Sequence, residues 1–351
     1  MLSLVQPAMD SQALRAPTPA SRSESPVKRY LAAGKYRLYP FDQSAKPYFD
    51  AACARVNVAL SDYSFANNII WFGQASGFYQ IIEGCFCLFS LTGNGLSMLL
   101  PPLGEPSRQQ RALRICDRIM DAYNGSPQQG WLDFVYRDFL KVLDTDLLTG
   151  LPLVNGHPWH VEVTNPDYIY RTQDLIELKG NAYKTKRNEI NQFRRAYPNH
   201  ELVPFSQEHE SAARQLVNTW MQQRLQTIPD GSFENFVHNL EMERKAIQRA
   251  ISLYDELKLE GLSLFINGQL AGFTFGERLN RDVANVLIEK TDFNIQGAAQ
   301  YLFREFSKVF ADCTYINVGD DLGFENLRRV KMSYRPAMFG DKVILRRAPA
   351  E

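Results

Sequence analysis

The dipeptide Asn267-Gly268 constrains the fold of this chain more than any other pair of residues. It stands between Leu262-Ser-Leu-Phe-Ile266 and Gln269-Leu-Ala-Gly-Phe-Thr-Phe-Gly-Glu277, two runs in which apolar residues recur at strand spacing. Asn-Gly readily takes positive φ at both positions, and the resulting turn matches the twist of paired strands. The spacing therefore predicts an antiparallel hairpin, with Val283-Ala-Asn-Val-Leu-Ile-Glu289 as a third strand. A helix beginning near Gly297 and a strand through Tyr315-Ile-Asn317 follow. Upstream, Glu201 to Phe205 is extended and Ser206 can cap a helix through Leu225. A second helix from about Phe233 to Leu259 carries Met242, Ala246, Ala250 and Leu253 at helical spacing.

The first half of the chain follows a similar plan. Gly77 to Ile82, Cys85 to Leu91 and Leu96 to Leu100 are short apolar runs separated by Glu-Gly and Thr-Gly-Asn-Gly, which predicts a meander. Pro101, Pro102 and Gly104 stop it, and Ser107 is placed to cap a helix carrying Ala112, Ile115 and Ile119. A helical pattern runs from Phe134 to Leu143, Trp159 to Val163 alternates as a strand, and Asp167 to Tyr170 is extended. Ser61 to Trp71 predicts a helix start or loop and then a strand. Helices, antiparallel strands, then strand, helix and strand is the order of the N-acetyltransferase-like (GNAT) fold. The expected class is α/β (α+β), two tandem GNAT-like domains with mixed, largely antiparallel sheets. The boundaries are a disordered tail over 1–30, an N-terminal domain over 31–175 and a C-terminal domain with the active site over 176–351.

Thirty-nine basic side chains balance thirty-nine acidic ones, so affinity for a polyanion must come from a local patch. Such a patch lies between Lys179 and Arg195, where six basic residues oppose only Glu189. A helix over Ala182 to Tyr197, ended by Pro198, brings Lys184, Arg187, Asn188, Asn191 and Arg195 onto one face. That face suits a phosphate backbone or an anionic cofactor tail. Five cysteines without CxxC spacing argue against a disulfide framework and a zinc site. His157 and His160 flank Pro158 and Trp159 but have no second histidine cluster to complete a metal centre, so no metal is expected. Hydrolase elbow, nucleotide-binding and dinucleotide fingerprints are absent from the sequence. No run reaches the roughly 18 apolar residues that span a bilayer, and a cytoplasmic, reducing compartment is expected.

Most of the chemistry is concentrated in Asn317-Val-Gly-Asp-Asp-Leu-Gly-Phe-Glu-Asn-Leu-Arg-Arg-Val-Lys-Met-Ser-Tyr-Arg-Pro336. Asp320 and Asp321 fall at the mouth of a strand, where α/β sheets present ligands. In the helix that follows, Leu327 and Val330 are expected to face inward while Arg328 and Lys331 share an outer face able to hold one phosphate or carboxylate. Asn294-Ile-Gln-Gly-Ala-Ala299 resembles the acyl-CoA turn of N-acetyltransferases, with Asn294 in place of Arg or Gln.

Five segments together resemble a single family: Ser61 to Asn67, Lys184 to Phe193, Glu289-Lys290, Gly297 with its helix, and Asp321-Leu-Gly through Lys331-Met-Ser-Tyr-Arg-Pro336. They are similar to the soluble C-terminal domain of phosphatidylglycerol lysyltransferases and its stand-alone relatives, over residues 36–346. The resemblance implies two tandem N-acetyltransferase-like domains and an aminoacyl group taken from charged tRNA, with no other cofactor. The multi-span flippase portion of the membrane enzymes is missing here, so the implied acceptor is an amine or hydroxyl of a small molecule or a lipid. The resemblance also implies that Lys331 with Arg328 neutralises the terminal adenosine phosphate or the developing oxyanion. Asp321 or Glu289 would receive the donor's α-ammonium or deprotonate the acceptor, and Tyr334 is the candidate donor to the leaving hydroxyl. Asp320, Asn317, Gly297 and Ser333 complete the expected substrate site, and the Lys184 to Arg195 face is the expected tRNA contact. Two other readings stay open: an acyl-CoA-dependent N-acyltransferase, and a non-catalytic member that binds RNA or a partner.

Overall fold

The computed structural model describes residues 30–72, 76–125, 130–225 and 233–347; the tail expected over 1–30 lies, apart from Tyr30, outside them. The chain divides into two compact units. The first comprises the described residues within Met1–Val58, Gln74–Asn165 and Asp341–Glu351, and the second those within Ala59–Gly73 and Pro166–Gly340. The single cut expected at 175/176 is thereby replaced by interleaved segments. The reason is strand pairing, which assigns Asp167–Arg171 to the second unit's sheet and Lys342–Arg347 to the first.

The first unit is built on a ten-stranded sheet. Its strands are β1 (Leu31–Ala33), β2 (Tyr36–Pro40), β3 (Ser76–Ile82), β4 (Cys85–Thr92), β5 (Gly95–Met98), β6 (Trp131–Tyr136), β7 (Asp144–Thr145), β8 (Pro152–Val154) and β9 (His157–Val163), with β17 (Lys342–Arg347) from much later in the chain. The spatial order is β1-β2-β3-β4-β5-β6-β17-β9-β8-β7. The expected meander is β3-β4-β5. Helix α1 (Lys46–Val56) follows β2, and α3 (Pro106–Asn124) makes the crossover that lets β5 and β6 pair in parallel. Ala112, Cys116 and Ile119 of α3 pack with Phe89, Met98, Leu132, Trp159 and Leu345. Pro106 in the first turn starts α3 with Glu105 as its cap, displacing the cap expected from Ser107. The helix expected over 134–143 is strand β6 followed by a 3₁₀ turn over Arg137–Val142. Leu132, Val135 and Phe139 mimic a helical stripe, but pairing with β17 prevails, with a register slip and a positive φ at Phe134.

The second unit carries a seven-stranded sheet in the order β11-β12-β13-β14-β15-β10-β16. These strands are β10 (Asp167–Arg171), β11 (Glu201–Pro204), β12 (Glu260–Ile266), β13 (Gln269–Arg278), β14 (Val283–Thr291), β15 (Tyr315–Asn317) and β16 (Met338–Gly340). Asn267 and Gly268 turn β12 into β13 with φ of 50° and 77°, as the hairpin signal requires. β11 to β14 are antiparallel, and β15 is parallel to β14 because α9 (Ala298–Val309) carries the chain across. The helices are α2 (Phe65–Trp71), α4 (Thr172–Glu177), α5 (Lys184–Ala196), α6 (Glu210–Leu225), α7 (Phe233–Ser252), α8 (Tyr254–Leu257), α9 and α10 (Glu325–Ser333). Ser206 with His209 forms the capping box that leads into α6. The strand expected after Ser61 is helix α2 instead, because Ser64 accepts the Asn67 amide at 2.8 Å and caps it. Each unit therefore has antiparallel strands, one crossover helix and one parallel step, a mixed α/β, N-acetyltransferase-like arrangement.

Candidate active site in the second unit

The site begins where the parallel pair comes apart. β14 and β15 are in register only from Val283↔Tyr315 to Asn285↔Asn317, after which β15 ends and β14 runs on to Thr291. In the same stretch β14 bulges against β13: Phe275 opposes Ile288 and Gly276 opposes Val286, leaving Leu287 extra. A bulge reverses the alternation of side chains beyond it and re-aims them. Along the parted edge opens a cavity of about 340 Å³, lined by Val286 to Lys290 and by residues of α7, α9 and α10, with Trp71, Tyr170 and Val318.

Glu289 is the one expected carboxylate that reaches this cavity. Its Oε2 is sealed from solvent without a hydrogen-bond partner. Burial pushes its pKa up to about 8, against the opposing pull of Lys290. A carboxyl held near neutrality is suited to take and return a proton. Tyr334 also lines the cavity, with its ring edge-on to Tyr170 and Phe303 at centroid distances of 6.2 and 5.0 Å. Burial first, then the nearby Glu289 and Glu189 carboxyls, push its phenol well above the ordinary range, so it stays protonated and able to donate.

Lys331 lines the cavity too, but its ammonium is turned back under its own helix. Nζ donates to the carbonyls of Val318 at 2.6 Å, Gly319 at 3.1 Å and Asp320. The outer face expected to join Arg328 and Lys331 is therefore absent. These carbonyls follow directly on the end of β15, that of Gly319 also accepting the Tyr168 amide at 3.0 Å, and Lys331, in the last turn of α10, folds back onto them. Arg328 instead donates from Nε to Asp321 Oδ2 at 2.9 Å. Val330, expected to be inward, is 54 % exposed.

Asp321 is 0 % exposed and also accepts from the Tyr168 hydroxyl at 2.6 Å and the Gly323 amide at 2.9 Å. Burial alone would raise its pKa, but Arg328, Tyr168 and Gly323 outweigh it and hold the carboxyl below its usual range. It thus anchors the turn into α10, and it is absent from the cavity lining.

The other expected substrate residues shape the same segment. Asn317 is buried, donating to Asp167 Oδ2 at 2.8 Å and Ala59 O at 2.9 Å while accepting from Gly319 N at 2.7 Å. Asp320 Oδ1 accepts the Leu322 amide at 2.9 Å, and Ser333 Oγ donates to Val330 O at 2.6 Å. Gly297 caps α9 at φ 82°, and a Cβ there would lie 2.4 Å from the Glu189 carbonyl; its smallness serves the packing of α9 on α5.

On α5, Lys184, Asn188, Asn191 and Arg195 are exposed as expected. Arg187 is half-buried and donates to the carbonyls of Leu178 and Gly180, stapling the segment before its own helix. Lys186, left out of the expected face, turns inward: its Nζ lies 4.6 Å from the Tyr334 ring centroid and 3.6 Å from Glu189 Oε2. Its position between Tyr183 and Ile190 on the apolar stripe was the signal for this. Glu243 and Lys290 form a further pair in the cavity wall at 2.6 Å, with Lys290 Nζ 3.8 Å from the Trp220 centroid. No sequence pattern marks that pair, since α7 and β14 meet only through the fold. Among the described residues no group of three or more His, Cys, Asp or Glu side chains could hold a metal, and no helix is long and apolar enough to cross a membrane.

A family model described as "Phosphatidylglycerol lysyltransferase, C-terminal" matches residues 54–344. An uncharacterised protein of Mycoplasmoides gallisepticum is 25 % identical over 246 residues, 68 % of this chain and 71 % of the relative. Among solved structures, a conserved protein of unknown function from Bacteroides thetaiotaomicron is 26 % identical with a TM-score of 0.74, over 89 % of this chain and 99 % of that one. The C-terminal domain of a putative lysylphosphatidylglycerol synthetase from Agrobacterium fabrum shares the fold at 12 % identity and a TM-score of 0.58, over 88 % and 93 % of the two chains. L-PGS from Bacillus licheniformis does so at 14 % identity and 0.55, over 80 % and 86 %. With 54–344 matched, the chain belongs to the phosphatidylglycerol lysyltransferase C-terminal family, a family of acyl-transferring enzymes.

Proposed function

We propose that this protein moves an aminoacyl group from charged tRNA to an amine or hydroxyl of a small-molecule or lipid acceptor. The observation that carries this reading is Glu289, a carboxyl whose buried Oε2 has no hydrogen-bond partner and whose pKa burial pushes up to about 8, at the edge where β14 and β15 part. An aminoacyl ester is already activated, so positioning and proton transfer are the main demands on the protein. The acceptor nitrogen or oxygen attacks the ester carbonyl carbon, forming the new bond, and passes its proton to ionised Glu289. The carbonyl carbon to ribose oxygen bond then breaks, and the leaving oxygen takes a proton from the Tyr334 hydroxyl, which recovers it through solvent or Glu289. Lys331, by holding three carbonyls at the end of β15, keeps the cavity wall in place during this step.

The exposed residues Lys184, Asn188, Asn191 and Arg195 on α5 serve in this reading as the contact for tRNA phosphates. A thioester donor has less support, because Gly297, the glycine that would open a pyrophosphate turn, is occupied in packing against α5. The test is incubation of the protein with a pool of charged tRNAs and cell extract, followed by mass spectrometry of the products. Transfer of an aminoacyl mass to an acceptor without added coenzyme A is the expected result. Transfer that appears only with acyl-CoA overturns the reading.

A further inference from the structure

The cavity wall carries four carboxyl or ammonium side chains among the described residues: Glu243, Glu289, Lys290 and Lys331. Lys290 and Glu243 neutralise each other at 2.6 Å, with the ammonium also over the Trp220 ring. Lys331 spends its donors on the Val318, Gly319 and Asp320 carbonyls. Glu289 is left for the reacting amine. The remaining surface comes from Ile247, Val286, Leu287, Phe303, Leu327 and their neighbours. We infer that the cavity selects an aminoacyl group with an uncharged, apolar side chain, and that the Glu243–Lys290 pair excludes cationic ones; this rests on the aminoacyl-transfer reading above.

The physical case is one of rejection as much as attraction. A second ammonium brought into this space would meet two lysines with Glu243 already engaged, and would lose its water without gaining a counter-ion. An aliphatic side chain loses nothing polar and covers the apolar wall. Selection of this kind needs no contact to the tRNA and depends on one ion pair. Removing the lysine of that pair should convert Glu243 into a free carboxylate and open the cavity to a cation.

The test uses amino alcohols, which keep the α-ammonium and the side chain of the donor without its tRNA. Binding of L-leucinol and L-lysinol to the full chain is measured by titration calorimetry. L-Leucinol is expected to bind at least about tenfold tighter in the wild type, with the preference reduced or reversed in Lys290→Met. A second variant, Glu243→Gln with Lys290→Met, should restore the preference for leucinol and shows that the carboxylate caused the change. Equal or tighter lysinol binding by the wild type overturns the inference, as does a Lys290→Met protein, folded by circular dichroism, with unchanged preference. The same proteins in single-turnover transfer from leucyl- and lysyl-tRNA separate the two levels. Leucinol preference without transfer from any charged tRNA removes the donor assignment and leaves the cavity's selectivity, whereas transfer that favours lysyl-tRNA keeps the donor and removes the selectivity.

Discussion

Lys331 donates to the carbonyl of Val318 at 2.6 Å, and so ties α10 to the strand end from which the helix departs. A residue at this position that only met substrate would be dispensable for folding. Lys331→Ala is expected instead to lower the unfolding free energy by roughly 1–3 kcal/mol, the range for lost hydrogen bonds to a charged group, measured by urea denaturation. Lys331→Arg should recover only part of this, because a planar fork cannot converge on the three carbonyls as an ammonium does. Unchanged stability in Lys331→Ala would return the residue to a purely electrostatic role.

For Glu289, burial raises the folded pKa to about 8, above its value of about 4.3 in an unfolded chain. The folded state therefore holds more protons than the unfolded one between those values, and Glu289 makes stability fall as pH rises through that window. Glu289→Gln should be more stable than the wild type above pH 8 and nearly equal to it near pH 4. Its transfer rate should drop by about 10² to 10⁴, and the rise of rate toward pH 8 should vanish. A pH–rate profile of Glu289→Gln that matches the wild type would exclude it as the base.

Asp321 shows the opposite sign. Its three donors hold the folded pKa below that of an unfolded chain, so its contribution is present at neutral pH and is lost as pH falls through the folded value. Asp321→Asn is expected to lose about 2 kcal/mol at pH 7, with the gap to the wild type closing in acid. Melting curves across that range test it, and a gap independent of pH would assign the loss to packing alone.

Gly297→Ala places a Cβ 2.4 Å from the Glu189 carbonyl at a backbone φ of 82°. Both strain and overlap act, and a loss of roughly 2–3 kcal/mol is expected, again by denaturation. If the variant keeps its stability but loses transfer, the glycine belongs to a ligand site after all.

On α5, Lys184→Ala with Arg195→Ala should weaken tRNA binding and reduce the slope of log affinity against log salt by about 2, one for each cation that no longer meets a phosphate. Filter binding across a salt series reads this directly. Arg187→Ala, by contrast, should act mainly on stability, since its guanidinium holds backbone carbonyls.

The strand order was legible because its signals are local. Asn267-Gly268 fixes a turn by φ alone, and the apolar runs on either side of it are short enough to be strands, β13 being buried on both faces from Ala271 to Gly276. Helix α9 follows from its stripe of Ala298, Leu302 and Phe306. Phe134 to Leu143 misled because a helical spacing of apolar residues was overridden by pairing with a strand some two hundred positions later. The site was half legible for the same reason. Glu289 and Tyr334 could be placed by family resemblance, whereas the destination of Lys331 depends on where the fold brings the carbonyls that follow β15. Helical spacing describes where a side chain starts, and Lys331 and Lys186 both end elsewhere.

The position of β17 between β6 and β9 has a bearing on how the chain is made. Every residue of the second unit's sheet is synthesised before β17, yet the first unit's sheet has a gap at its middle until that strand arrives. Val343 and Leu345, which close the first unit's core, come off the ribosome about two hundred residues after Leu132 and Trp159. Emergence at ordinary translation speeds takes roughly 10–40 s for such a length. During that interval the edges of β6 and β9 stand open to other partners, so the first-made half of this protein must wait for the last-made strand.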